Sequence, residues 1–193
     1  MKPGIYSGMA TRTEFRLDET IALLSRTPAA LDALLRGLPA TWVQRNEGEG
    51  TWNAYDIVGH LANLERTDWM ARVRRVLEDG ESRPFDRIDR FAQIKEGQNK
   101  SLEQRLDEFA CLRGENLAEL RALNLQPDDF ARKGTHPALG PVTLANLLAT
   151  WAAHDLTHVH QLSRVMAYQN RESVGPWVKF LGVLQCDGHS AAP

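Results

Sequence analysis

The segment HDLTHVHQL, residues 154–162, places three of the chain's six histidines within seven positions. Residues four apart lie on nearly the same face of an α-helix, so His154 and His158 would present two imidazoles to one point. His160 lies about 200° around the helix from His158 and is expected to point away. Gln161 returns to the face of the pair, where it could bond to a ligand, a bound water or a substrate. This pattern is typical of metal binding.

A His-x-x-x-His pair also occurs on solvated helix faces, where it binds nothing. In this segment, however, the pair and Gln161 interrupt or border an apolar face formed by Leu144, Leu147, Leu148, Trp151 and Leu162. Because buried polar groups need partners, a polar cluster on such a face favours a binding site over a solvated stripe.

An earlier segment, TWNAYDIVGHLANLERTDW, offers a third histidine. His60 follows Ile57 and precedes Leu61, beside the apolar stripe of its helix. Three neutral imidazoles from two helices can hold a metal ion and leave positions open for water or substrate. Asp56, four residues before His60, is either a fourth ligand or a group that orients the ligands, and the second role is slightly favoured. Asp56 and Gln161 are therefore the candidate catalytic residues.

The elements that must position these side chains are helices. Apolar residues recur near the helical period in four segments, with approximate bounds 13–36, 54–77, 101–123 and 143–169. Pro28 is expected to break or restart the first segment, and the SLEQ sequence at 101–104 fits a capping box for the third. Nothing between these segments predicts a β-ladder. The pattern predicts an all-α four-helix bundle, in which metal sites are built from facing helices.

Two long connections separate the helices, and loops of that length carry short extra helices or line a site. DRFAQIKEG, in the first loop, could form such a helix, and the apolar run PWVKFLGVLQ after Gly175 is expected to dock as a terminal helix. Residues 1–12 and 186–193 are expected to be flexible tails. The loop side chains that are candidates for lining a pocket are Arg87, Arg90 and Lys95 in the first loop, and Arg132, Lys133 and His136 in the second.

Composition narrows the classes of partner. The 193 residues are expected to form a single domain, and a net charge of -2 gives no general attraction to nucleic acid or to anionic membranes. No apolar run resembles a secretory signal or a membrane span, so a cytoplasmic location is expected.

Cys111 and Cys186 are too few and too far apart for a disulfide framework, and both are expected to be reduced thiols. Helical spacing predicts that Cys111 is a small buried residue.

Two blocks of the sequence resemble a known family. TWNAYDIVGHLANLE is similar to the first motif of the DinB-like superfamily, where a Trp precedes a helix that carries an acidic residue and a His. HPALGPVTLANLLATWAAHDLTHVHQL is similar to the second, with its Gly-bearing loop, its Trp and its His-Asp-x-x-His-x-x-Gln series. The spacings match across about 45 residues, and the order of the helices agrees with the rest of the chain.

This resemblance implies a four-helix bundle with up-down-down-up topology, often dimeric, in which three histidines hold a divalent metal ion. Carried onto this sequence, the three are His60, His154 and His158. The family includes S-transferases and isomerases that use bacillithiol or mycothiol, and members assigned as metal-dependent hydrolases. The resemblance therefore implies a homodimer that acts on a small molecule, with a low-molecular-weight thiol as a further cofactor if the transferase chemistry applies.

A metal ion with three imidazole ligands supports two chemistries, because it lowers the pKa of bound water towards about 7 or holds a thiol as its thiolate. Hydrolysis needs a general base, for which the acidic candidates are Asp56, Glu65 and Asp155. Glu65 and Asp155 are rotated away from the histidine faces, and their alternative role is as solvated or helix-pairing charges. The lack of a well-placed base marginally favours thiol activation.

A non-catalytic protein is the third possibility, a binding module that the metal stabilises. Structural zinc sites normally fill four positions with protein ligands, whereas this pattern offers three histidines and at most one acid. An open coordination position therefore favours catalysis. Imidazole ligands suit zinc, nickel, iron and copper, and zinc or nickel is expected here.

Overall fold

The structure is a computed structural model that describes residues 14–88 and 99–186. The segment DRFAQIKEG, the loop candidates Arg90 and Lys95, and both expected tails except Cys186 lie outside the described residues.

Four helical segments make up the bundle, and two of them are interrupted. The first consists of α1 (Leu17–Leu24) and α2 (Thr27–Leu35), and a short helix α3 (Ala40–Val43) follows it. The second consists of α4 (Ala54–Thr67) and α5 (Trp69–Glu78). The third is α6 (Leu102–Ala122), and the fourth is α7 (Leu144–Tyr168). The predicted four-helix bundle is confirmed, with boundaries close to those expected from the apolar periodicity.

Local sequence explains most of these boundaries. Pro28 lies in the first turn of α2, where its fixed backbone angle favours a new helix. Capping boxes begin the long helices, with Asn53 bonded to Asp56, Ser101 to Gln104 and Thr143 to Asn146. The break between α4 and α5 was not expected. It falls at Asp68, whose backbone angles (φ -118°, ψ -67°) depart from helical values.

Two groups of buried apolar side chains fill the bundle. One joins α5 and the N-terminal half of α7, including Trp69 and Trp151, to the C-terminal ends of α1 and α6. The other joins α2, α6 and the first half of α4 to the C-terminal half of α7. Gly59 permits one close approach, because a Cβ atom there would overlap the Arg105 guanidinium that lies against α4. Arg105 donates a hydrogen bond to the Tyr55 carbonyl oxygen at 2.8 Å.

The second long connection contains a β-hairpin, so the expectation that no β-ladder occurs is wrong. Strand β1 (Lys133–His136) pairs antiparallel with β2 (Gly140–Thr143). The strands lack alternating apolar residues, and contacts from outside the hairpin hold it instead. Gly134 packs so closely on Phe85 and Val76 that a Cβ atom would lie 2.8–2.9 Å from their side chains. The Phe85 amide also donates to the Thr135 carbonyl oxygen at 2.9 Å. A 3₁₀ segment, Pro127–Ala131, precedes the hairpin.

The C-terminal apolar run forms 3₁₀ segments at Gly175–Phe180 and Gly182–Leu184. The run docks only in part, because Gly182–Leu184 contacts α7 whereas Trp177 and Phe180 are 70% and 78% exposed. Cys111 and Cys186 are free thiols, as predicted, but Cys111 is exposed rather than buried. It lies on the outer face of α6, where the Glu115 carboxylate lies 3.4 Å from its sulfur.

Among the described residues, every helix is too short or too polar to cross a bilayer.

Candidate metal centre

His60 from α4 and His154 and His158 from α7 meet at one point, although 94 residues separate His60 from His154. The Nε2 atom of His154 lies 3.4 Å from that of His60 and 3.1 Å from that of His158. Ligand nitrogens about 2.05 Å from a tetrahedral zinc ion stand about 3.3 Å apart. The three side chains, called the histidine cluster below, therefore have a donor set and spacing that fit one metal ion.

Gln161 orients one member of the cluster. The His158 Nδ1 atom lies 2.7 Å from the Gln161 Oε1 atom, and because an amide oxygen only accepts, the imidazole donates its Nδ1–H. The proton at Nδ1 leaves the lone pair on Nε2, directed at His154. Burial lowers the pKa of His158, against the opposing effects of Gln161 and Asp155, and so favours the neutral imidazole that a metal requires. Gln161 thus has the position of a group that fixes a ligand's tautomer.

Aromatic rings enclose the histidine cluster on two sides. The Trp52 ring centroid lies 4.7 Å from that of His60 and 6.2 Å from that of His158. The Trp69 ring meets His154 edge-on at 5.3 Å and stacks on Trp151 at 5.6 Å. These contacts restrict the rotation of the imidazoles and keep the surroundings apolar.

Asp56 lies outside the histidine cluster. Among the described residues, the side chains whose ligand atoms come within 4.8 Å of one another at this point are His60, His154 and His158. An Asp56 oxygen instead accepts a hydrogen bond from the Asn53 backbone amide and completes the cap of α4. Burial raises the pKa of Asp56, while the Asn53 amide and the Arg105 charge oppose that rise.

Glu65 and Asp155 belong to a different polar group, and of the two alternative roles given for them, pairing between helices applies and solvation does not. Both side chains are 0% exposed and bind Arg113 of α6, which is 2% exposed. Arg113 donates to Asp155 at 2.6 and 3.0 Å and to Glu65 at 2.7 Å. Glu65 also accepts from Trp151 Nε1 at 2.9 Å and from Asn116 at 2.9 Å. Glu65, Arg113 and Asp155, called the ion cluster below, join α4, α6 and α7.

A cavity of about 390 Å³ adjoins the histidine cluster, a volume within the range of small-molecule sites. All three histidines and Gln161 line it. Its remaining wall is mostly apolar and comes from α4, α5, the hairpin and α7, including Leu64, Trp69, Phe85, Ile88, Leu139, Val142 and Leu147. Leu139, at the turn of the hairpin, is 74% exposed, so the wall it forms borders solvent.

Two charged residues of the cavity wall were missed from the sequence. Asp68 and Arg72 form a buried ion pair with 2.6 Å between Oδ1 and Nε. Burial raises the pKa of Asp68 to about 6, although Arg72 acts in the opposite direction. The sequence could have indicated this ion pair, because an Asp and an Arg four residues apart in a helical segment can pair, and both lie close to Trp69.

Of the loop candidates within the described residues, only His136 lines this cavity; Arg87, Arg132 and Lys133 do not. Burial and the Arg72 charge lower the pKa of His136. Its Nδ1 atom accepts hydrogen bonds from the backbone amides of Ala138 and Leu139, both at 3.2 Å. The ring therefore carries its proton at Nε2.

The chain is similar to known proteins over the region that contains the histidine cluster. The family model of the DinB superfamily matches residues 23–162, which contain all three histidines and Gln161. Among solved structures, the chain is similar to YfiT from Bacillus subtilis, described as "a probable metal-dependent hydrolase with an unusual four-helix bundle topology". The two share 22% sequence identity at a TM-score of 0.68, over 89% of this chain and 95% of the YfiT chain. No curated protein matches the chain.

Proposed function

The chain belongs to the DinB superfamily, and we propose that it is an enzyme that binds a divalent metal ion through His60, His154 and His158. The observation that carries the proposal is the convergence of three imidazole Nε2 atoms from two helices at 3.1 and 3.4 Å. Imidazole ligands suit zinc, nickel, iron and copper, and of these we propose zinc or nickel.

Residues around this centre have separate roles in the proposed function. Gln161 holds the His158 tautomer, Trp52 and Trp69 fix the imidazole planes, and the cavity receives a small-molecule substrate. A divalent metal bound here supplies Lewis acidity, which lowers the pKa of water towards about 7 or keeps a thiol as its thiolate. Within residues 14–88 and 99–186, the centre has three ligating side chains, which favours catalysis over a closed structural site.

Hydrolysis is the first candidate reaction, and its support is the likeness to YfiT in fold and chain length. Thiol transfer is the second, and a specific observation favours it. Glu65 and Asp155 are engaged by Arg113, and Asp56 caps its helix. These three carboxylates are therefore not placed as bases, and a thiol activated by the metal itself needs none.

The proposal is tested first through metal content. We expect purified native protein to hold about one divalent ion per chain, and His60→Ala, His154→Ala and His158→Ala each to lose more than about 90% of it, because two imidazoles bind far more weakly than three. Elemental analysis after dialysis measures this, and His160→Ala is the matched control. Unchanged metal content in all three variants would sink the proposed centre.

The reaction is tested by two panels run on the metal-loaded protein. One offers electrophiles together with bacillithiol, mycothiol or glutathione, and the other offers esters and amides. Turnover in one panel that disappears in His158→Ala assigns the reaction class. Turnover in neither panel, with metal bound, would favour the non-catalytic binding module. The homodimer expected from the family stays a prediction, which light scattering checks.

A further inference from the structure

The cavity has a second polar region, formed where α4 meets α5. Arg72 and Asp68 lie there with side chains only 11% and 6% exposed, and both line the cavity together with His136 and Phe85. The Arg72 guanidinium carbon stands 5.2 Å from the centre of the Phe85 ring. A charged pair in a largely apolar wall is costly to bury, and the bundle has placed it beside the space that a substrate would occupy.

Asp68 occupies only one edge of the guanidinium. Its Oδ1 atom contacts Nε of Arg72 at 2.6 Å. Within the part of the chain that the structure describes, no side chain or carbonyl accepts a hydrogen bond from the two terminal nitrogens of Arg72. Those nitrogens form the fork that binds a carboxylate through two parallel hydrogen bonds. Among the described residues, Asp68 and Phe85 therefore position the fork without occupying it.

With a divalent ion bound at the histidine cluster, the charges around the cavity favour an anion. Asp68 and Arg72 compensate each other, and burial and the Arg72 charge lower the pKa of His136, which favours its neutral form. The ion cluster behind the histidines carries two carboxylates and one guanidinium. A divalent ion on three neutral imidazoles more than offsets the one unbalanced negative charge of that cluster. The single positive charge in excess matches a monocarboxylate better than a phosphate dianion.

We propose that Arg72 is the anion-binding residue of the cavity, and that the ligand is a small monocarboxylate whose apolar body lies against Trp69, Phe85 and Leu147. The direction of the ligand, with its reacting group towards the histidine cluster, rests on the proposed function. The contact between Arg72 and the carboxylate does not depend on the metal ion.

A matched ligand pair tests this inference. Phenylbutyrate and its amide have the same apolar body and differ in the carboxylate, and quenching of Trp52 and Trp69 in the cavity wall reports their binding. We expect the native protein to bind the carboxylate about tenfold more tightly than the amide, as hydrogen bonds to charged groups imply. In Arg72→Met the two affinities should agree within about twofold.

Arg74→Met is the control, because Arg74 lies on the same helix but pairs with Glu119 outside the cavity. It should keep the full preference for the carboxylate. Arg72→Lys retains the charge without the fork and should keep only part of the preference, which covers the case in which Arg72→Met fails to fold. The proposal would be overturned if Arg72→Met still preferred the carboxylate over the amide. It would also be overturned if Arg72→Lys showed the full native preference. The absence of carboxylate binding by the native protein at millimolar concentration would overturn it as well.

Each titration is run on chelator-treated and on metal-loaded protein. The preference should be larger on metal-loaded protein, where the ion adds positive charge, and its loss in Arg72→Met should be present on both. If the native protein holds no metal but the preference depends on Arg72, the proposed metal centre fails while this inference stands. If metal binds at the histidines but the preference for the carboxylate is unchanged in Arg72→Met, this inference fails while the proposed metal centre stands.

Discussion

The histidine cluster and the ion cluster use the same two helices and differ in how their polar atoms are satisfied. His60 and Glu65 both come from α4, and His154 and Asp155 are neighbours on α7. In the ion cluster, both oxygens of Asp155 and both oxygens of Glu65 accept hydrogen bonds from Arg113, Trp151 or Asn116. In the histidine cluster, three like nitrogens converge instead.

This difference separates structure from function. A buried polar group whose partners all come from the chain holds helices together and has no capacity left for a ligand. Three imidazole nitrogens that converge on one point form a donor set that can hold a metal ion. The ion cluster is therefore assigned to stability, and the histidine cluster is the proposed binding site. Changes in the first should alter the free energy of unfolding, and changes in the second should alter metal affinity.

Removing Arg113 should produce the largest effect. Arg113→Met leaves Glu65 and Asp155 buried without their cation, so we expect the free energy of unfolding to fall by about 3–5 kcal/mol. Urea denaturation monitored by circular dichroism measures it. Arg74→Met removes an exposed arginine that pairs with Glu119 and should cost less than about 1 kcal/mol. Equal effects of the two variants would contradict the structural role of the ion cluster.

Changing Gln161 should weaken metal binding without removing a ligand. Gln161→Leu deletes the oxygen that accepts the Nδ1–H of His158, and loss of such an orienting group typically costs about 10–100-fold in metal affinity. Competition with a chromophoric chelator measures the affinity. Gln161→Glu, which retains an acceptor, should stay close to the native value. If the leucine variant also matches native protein, Gln161 does not orient the cluster.

Asp68 should make stability depend on pH. Its pKa is about 6 in the folded protein and 3.8 in the unfolded chain, so its contribution is fully present below 3.8 and is lost as the pH rises through 6. We expect this contribution to the free energy of unfolding to fall by about 2 kcal/mol between about pH 4.5 and 7.5. Asp68→Asn should lack that fall relative to native protein. Parallel pH profiles for the two proteins would show that burial does not raise this pKa.

His160 should have the smallest effect of all. It is the third histidine of the HDLTHVHQL segment, but its side chain is exposed on the outer face of α7. His160→Ala should change the free energy of unfolding by less than about 0.5 kcal/mol, as is usual for a surface position. Metal affinity, measured as for Gln161, should also be unchanged. A loss of metal in this variant would mean that the helix face has been assigned wrongly.

Much of the fold was predictable because amphipathic periodicity and capping residues are local signals. Ser101 and Thr143 begin α6 and α7 within one residue of the expected positions. The break at Asp68 and the β-hairpin were not predictable in this way. Close packing on Phe85 and Val76, not the sequence of the hairpin, stabilises its strands, and such contacts join residues distant in sequence.

The candidate site was predictable where helix spacing alone decides the geometry. The four-residue spacing of His154 and His158 and the outward direction of His160 follow from one helix. The roles of Glu65 and Asp155 did not follow, because they depend on Arg113 from a third helix. The cavity around Arg72 likewise requires α5 and the hairpin to come together, which periodicity does not show.

X-ray absorption of the zinc-loaded protein tests the central claim most directly. We predict three imidazole nitrogens at about 2.0–2.1 Å and one further light atom that does not come from the chain, the pattern of an open catalytic centre. In His60→Ala the imidazole count should fall below three. A native spectrum with four protein ligands, or with fewer than three imidazoles, would contradict the account.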